Sequence, residues 1–178
     1  HKDLITVEVT LNHLSLAAPD CYETLGAFSQ MNPPVRDLSH QAGLWEAIQN
    51  GIVDVIGSDH APHTKEEKER PYPSSPSGMP GVQTSLPLLL DHVNRGQLTL
   101  ERVVDLTAAG PQRIFGIMGK GRIAVGYDAD LVLVDLNANR VITDDWIESK
   151  CGWTPFNGLK VKGWPIATIL RGSIVMQE

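Results

Sequence analysis

Asp59, His60 and His63 follow directly on the apolar run Ile52-Val53-Asp54-Val55-Ile56. Carboxylate oxygen and imidazole nitrogen are both zinc ligands, and a carboxylate beside a metal can also move a proton. Pro62 stiffens the turn that presents them. The competing reading is a strand followed by a polar loop, with Asp59 capping the next helix and the histidines solvated. The apolar run has the length and character of a buried strand, which delivers these groups to its C-terminal end. Barrel enzymes keep their chemistry at that end.

The flanking elements supply the frame. Residues 4–10 form a β-branched run that predicts a buried strand. After the rigid Asn32-Pro33-Pro34 turn, Leu38, Leu44, Trp45 and Ile48 recur at helical spacing, with Asp37 or Ser39 as N-cap and Asn50-Gly51 as the stop. Strand, crossover helix and strand make a parallel pair. Residues 64–81 are rich in proline, glycine and serine and hold the charge run Lys65 to Arg70, so a long loop without a regular element is expected. A helix follows from about Gln83 to Asn94, with Pro87 in its first turn and Gly96 as its stop. Thr99 caps another helix through Ala108, and Gly110-Pro111 starts a short one ending at Phe115-Gly116. Beyond Gly119 the pattern changes to short strands at 122–125, 131–135, 140–143, 166–171 and 173–176, with a tight hairpin at Arg171-Gly172.

A chain of 178 residues, 42% hydrophobic, can build one ordinary domain. Its net charge of -6 comes from mixed acidic and basic residues without a Lys/Arg block, which argues against a nucleic-acid partner. No apolar stretch approaches the roughly 20 residues that cross a bilayer, and no signal peptide is expected. Cys21 and Cys151 are too few and too far apart for a disulfide scaffold, which suits a reducing compartment, with the cytoplasm as the default. There is no internal repeat.

Three blocks of wording carry a family resemblance: Asp59-His60-Ala61-Pro62-His63, Met31-Asn32-Pro33-Pro34-Val35-Arg36, and the stretch from Gly121 through Tyr127-Asp128-Ala129-Asp130-Leu131. In order and spacing they resemble the dihydroorotases, zinc amidohydrolases of pyrimidine synthesis related to allantoinases and hydantoinases. The likeness runs from about Val7 to the last residue. It implies an α/β fold: the C-terminal portion of a (β/α)8 amidohydrolase barrel plus part of a small β-sandwich domain. Residues 1–118 would hold the last two barrel strands with their helices, and 119–178 the small β domain. A complete barrel takes about 250 residues, and the chain opens on His1-Lys2-Asp3 without a methionine, so a piece of a longer enzyme is expected.

The resemblance also implies roles. Asp59 would bind zinc, take the proton of the attacking water and return it to the leaving ring nitrogen. Asn32 would hydrogen-bond the substrate ring and His63 its carboxylate, while Ser77 and Gly78 supply backbone contacts. Many relatives have an aromatic residue where Ser77 stands, and Asn12 departs from the Pro-His-His wording common near His13. His13 reads as supporting the site residues from behind or as structural, His60 as packing behind the site or orienting Asp59, and His40 and His92 as surface or packing residues. The remaining ligands of one or two zinc ions would lie upstream of His1, so this chain alone is expected to be inert. The implied reaction is reversible hydrolysis of dihydroorotate to N-carbamoyl-aspartate, in a homo-oligomer that can associate with aspartate transcarbamoylase. Alternatives are an allantoinase or hydantoinase, and a non-catalytic dihydroorotase-like subunit that scaffolds aspartate transcarbamoylase.

Overall fold

The structure is a computed structural model and describes residues 4–178. Strands β1 (Glu8–Thr10) and β2 (Val55–Gly57) pair in parallel, with Glu8 opposite Val55 and Thr10 opposite Gly57. The crossover between them contains α1 (Leu11–Ser15), α2 (Asp20–Leu25), a 3-10 turn at Gly26–Ser29, and α3 (Leu38–Gln49). The Asp37 side chain caps α3 by accepting from the Ser39 and His40 amides, and Trp45 and Ile48 form its buried face. Leu38 occupies the first helical position and stays exposed, so the apolar stripe starts nearly two turns later, at Leu44. Both strands are shorter than the β-branched runs suggest. Val7 already takes the Asp54 and Val55 amides on its carbonyl, but residues 4–7 are exposed and lie outside regular pairing.

Residues 64–81 depart from the expected featureless loop. They contain one helical turn, α4 (Lys65–Lys68), opened by a capping box in which the Thr64 hydroxyl accepts from the Glu67 amide and the Glu67 carboxylate accepts from the Thr64 amide. This local hydrogen bonding builds a turn that needs no apolar period.

Helix α5 (Ser85–Asn94) tolerates Pro87 in its first turn, and α6 (Leu100–Val104) is capped by the Thr99 hydroxyl. The sequence predicts a break at Gly110-Pro111. The chain instead passes through a π turn, Asp105–Ala109, straight into α7 (Gly110–Phe115). Pro111 has no N–H and its ring crowds the preceding turn, and the wider π turn makes room for it. A Cβ on Gly110 would lie 2.5 Å from the Asp54 carbonyl oxygen, so the missing side chain lets this helix press against the lead into β2. The Arg102 guanidinium joins the same pieces, donating to the Val53 carbonyl at 2.6 Å and pairing with Asp105 at 2.5 Å.

Strands β3 (Leu131–Val141), β4 (Lys160–Leu170) and β5 (Ser173–Gln177) form an antiparallel sheet in chain order. Two expected strands, 131–135 and 140–143, merge into β3 across an irregularity between Asp135 and Asn139. Residues 122–125 form no strand: they lie in a stretch of turns where Lys120 pairs with Asp128 and Asp130, and no neighbour covers Ile123, which is 90% exposed. The hairpin falls at Arg171-Gly172, both at positive φ. Its buried face packs on α5, and one core cluster joins Val9, Leu11, Trp45, Ile48 and Leu89 with Ile142, Phe156, Val161 and Trp164. A second cluster of Cys21, Met31, Val35, Met79, Cys151 and Trp153 is buried, with both cysteines free. Among the described residues no helix is long and apolar enough to cross a membrane.

Candidate active site

Asp59 lies two residues beyond β2 with φ +44, a left-handed backbone that only one other non-glycine residue, Arg171 in the hairpin, adopts among the described residues. Aspartate tolerates this region better than most residues, and such conformations gather at functional sites. Its side chain is exposed and makes no hydrogen bond or ion pair with the described residues. His60 does not hold it. The His60 ring turns to the returning chain, where Nδ1 accepts from the Gly81 amide at 3.1 Å and the Val82 amide at 3.3 Å. The proton therefore sits on Nε2.

Four of the residues singled out from the sequence converge. Asn32 donates from Nδ2 to the Ser77 hydroxyl at 3.3 Å, and His63 donates from Nε2 to the Ser77 carbonyl at 3.2 Å. The Gly78 amide donates to the Gln30 carbonyl at 2.9 Å. Gly78 has φ +138, and a Cβ there would sit 2.7 Å from both the Ala61 Cβ and the Ala61 carbonyl oxygen, so only glycine lets the loop close on the motif. Ala61 in turn donates its amide to the Met79 carbonyl at 3.1 Å. Asp59 stands at the start of this same 59–63 segment but makes no hydrogen bond to the four. A cavity of about 820 Å³, lined in part by Gln30, Asn32, Tyr72 and Ser77, opens beside them.

Sequence reasoning missed Gln30, Lys68 and Trp153. Gln30 donates from Nε2 to the Ser77 hydroxyl at 3.3 Å, and its Oε1 is buried without a partner. Lys68 is buried beneath the loop, where loss of hydration pushes its amine down to about 8. The Trp153 indole donates to the His63 carbonyl. The spacing Thr64-x-x-Glu67 was the one local signal available, since a capping box announces a helical turn and places Lys68 in it. Nothing local marked Gln30 or Trp153.

His13 has both ring nitrogens engaged, Nδ1 with the Thr10 hydroxyl at 2.5 Å and Nε2 with the Pro33 carbonyl at 2.9 Å. Both contacts tie the ring to the surrounding chain. His40 pairs with Asp37 on the surface, and His92 packs against Trp45 with ring centroids 4.5 Å apart. Among the described residues no three His, Cys, Asp or Glu side chains lie together as a metal site. The exposed, unpartnered Asp59 carboxylate fits the part of one ligand, and a catalytic zinc needs about three from protein.

Residues 13–175 match the amidohydrolase family, and the chain belongs to it. It is 48% identical over 170 residues to the dihydroorotase of Halobacterium salinarum, covering 96% of this chain and 40% of that protein. To the dihydroorotase of Pyrococcus abyssi it is 45% identical over 174 residues, covering 98% of this chain and 41% of that protein. Among solved structures, the L-hydantoinase of Arthrobacter aurescens superposes with a TM-score of 0.91 at 34% identity, over 97% of this chain and 39% of that one. The chain thus spans about 40% of the length of the curated relatives it matches.

Proposed function

We propose that this chain is the C-terminal part of a dihydroorotase and contributes a proton-transfer carboxylate and a substrate-binding surface to the complete enzyme. The observation that carries the reading is the convergence of Asn32 and His63 on one loop residue, Ser77, whose neighbour Gly78 bonds the Gln30 carbonyl and closes on Ala61, beside a strand end that presents Asp59. The dihydroorotase relatives, similar over nearly the whole chain, support the choice of substrate. Residues 1–118 belong to a (β/α)8 barrel as its last two strands, and 119–178 to a small β-sandwich domain completed from elsewhere. The enzyme is cytoplasmic, homo-oligomeric and able to associate with aspartate transcarbamoylase.

In this reading Asp59 accepts a proton from water as the water oxygen bonds to the ring carbonyl carbon. It then delivers that proton to the ring nitrogen as the carbon-nitrogen bond breaks, so one carboxyl group acts as base and then acid. Zinc, one ion or two, held in part by Asp59, would polarise the carbonyl and make hydroxide available near neutral pH. Asn32 offers donor and acceptor to the cyclic imide. The Nε2 hydrogen of His63, held only by the neutral Ser77 carbonyl at 3.2 Å, is a donor for the substrate carboxylate, a stronger acceptor. Ser77 and Gly78 present backbone groups. Asp59 alone cannot hold zinc, so the isolated chain is inert.

The complete protein assayed on dihydroorotate, allantoin and hydantoin tests the reading. Turnover of dihydroorotate is expected. Turnover of only the other two makes it an allantoinase or hydantoinase, the class of the solved neighbour. No turnover with retained binding to aspartate transcarbamoylase makes it a non-catalytic scaffold.

A further inference from the structure

Lys68 closes α4 with 0% of its surface exposed, and no carboxylate among the described residues lies within ion-pair reach of its amine. Burying an unpaired lysine is costly unless its N–H groups are all put to use. Here Nζ donates to the Gln30 carbonyl at 3.1 Å and the Pro76 carbonyl at 2.8 Å. Gln30 stands two residues before Asn32, and Pro76 immediately before Ser77. The Gln30 oxygen also takes the Gly78 amide at 2.9 Å, and the Ser75 hydroxyl donates back to the Lys68 carbonyl at 3.2 Å. One nitrogen therefore sits where segments 30–32, 64–68 and 75–78 meet.

We infer that Lys68 is a positioning residue for substrate binding, which sets the spacing of Asn32 against Ser77-Gly78 by holding the Gln30 and Pro76 carbonyls together. The inference rests on the proposed reading of this site. A packing role would be met by any straight apolar chain of similar length, whereas two carbonyl contacts require a donor. The neutral amine keeps two N–H groups for the two carbonyls and the ammonium keeps three, so the tie persists in either protonation state.

The test is Lys68→Met in the complete enzyme, which keeps the volume and removes the donors, read by KM, kcat, melting temperature and hydrogen exchange at Gly78. The expected result is a KM raised about tenfold or more, kcat changed by less than about threefold, and faster exchange at Gly78 with α5 unchanged. Val103→Ala in the remote core serves as a control that lowers the melting temperature without moving KM. An unchanged KM with unchanged Gly78 exchange overturns the inference, and so does an equal KM rise in Val103→Ala. If Lys68→Met does not fold, Lys68→Leu, which also lacks the donors, is read in the same way, and failure of both to fold counts against a positioning role. A wild-type enzyme inert on every cyclic amide, with Gly78 exchange still accelerated by Lys68→Met, refutes the functional reading and supports the loop-holding part of this one.

Discussion

The indole nitrogen of Trp153 donates to the main-chain oxygen of His63 at 2.8 Å, joining residues 90 positions apart. Trp153 is 3% exposed and meets Phe28 edge-on at 4.9 Å, so little water can replace that bond. The motif histidine is thus braced by the segment beyond β3 rather than by its own strand. Trp153→Phe keeps most of the ring packing and strands the carbonyl, at a cost of about 1–3 kcal/mol. A lower urea midpoint, with a raised KM in the complete enzyme, is the expected result.

Asp59 and His63 separate by kinetics. In the complete enzyme Asp59→Asn keeps the left-handed backbone, which asparagine also tolerates, but cannot take a proton. Turnover should fall at least about a hundredfold with the melting temperature little changed. His63→Ala should raise KM and leave kcat nearly intact. An unaltered KM would remove His63 from the substrate-binding role.

Gly78→Ala forces a Cβ to within 2.7 Å of Ala61 and strains a backbone at φ +138. The loop must back away from the motif, at a cost of about 1–3 kcal/mol. Thermal unfolding should report the loss, and the complete enzyme should bind substrate more weakly.

Acid should weaken the fold through His92. Burial holds its pKa below the ordinary histidine value of 6.5, outweighing the Gln97 side chain that accepts from its ring at 2.6 Å. The unfolded chain then binds the proton more readily. The contribution to stability is whole above the unfolded pKa and falls as pH drops through it toward the lower folded value. Melting temperature measured from pH 7 to 5 should decline, and His92→Phe should flatten that slope.

Local signals made much of the frame legible. Asp37 and Asn50 bracket α3, Pro87 falls in a first turn, and Arg171-Gly172 makes the hairpin, because each acts within a few residues of itself. The family resemblance implies that Asn32, His63, Ser77 and Gly78 share one site, and the four do lie together in space. What escaped depends on partners far along the chain. Lys68 sits in a charge run that looks solvated, yet its acceptors are 38 and 8 residues away. Residues 122–125 have a strand's composition and lack a neighbour to pair with, while 131–141 continues past the irregularity at Asn137 because β4 pairs with it on both sides, at Asp135 and Asn139.

His63 grips the peptide oxygen of residue 77, not its hydroxyl. Whatever side chain stands there, the imidazole meets the same acceptor, so the pocket wall can be recut in shape and polarity while the ring keeps its bearing. A serine in place of a bulky aromatic group would then widen the entrance and leave the histidine where it was.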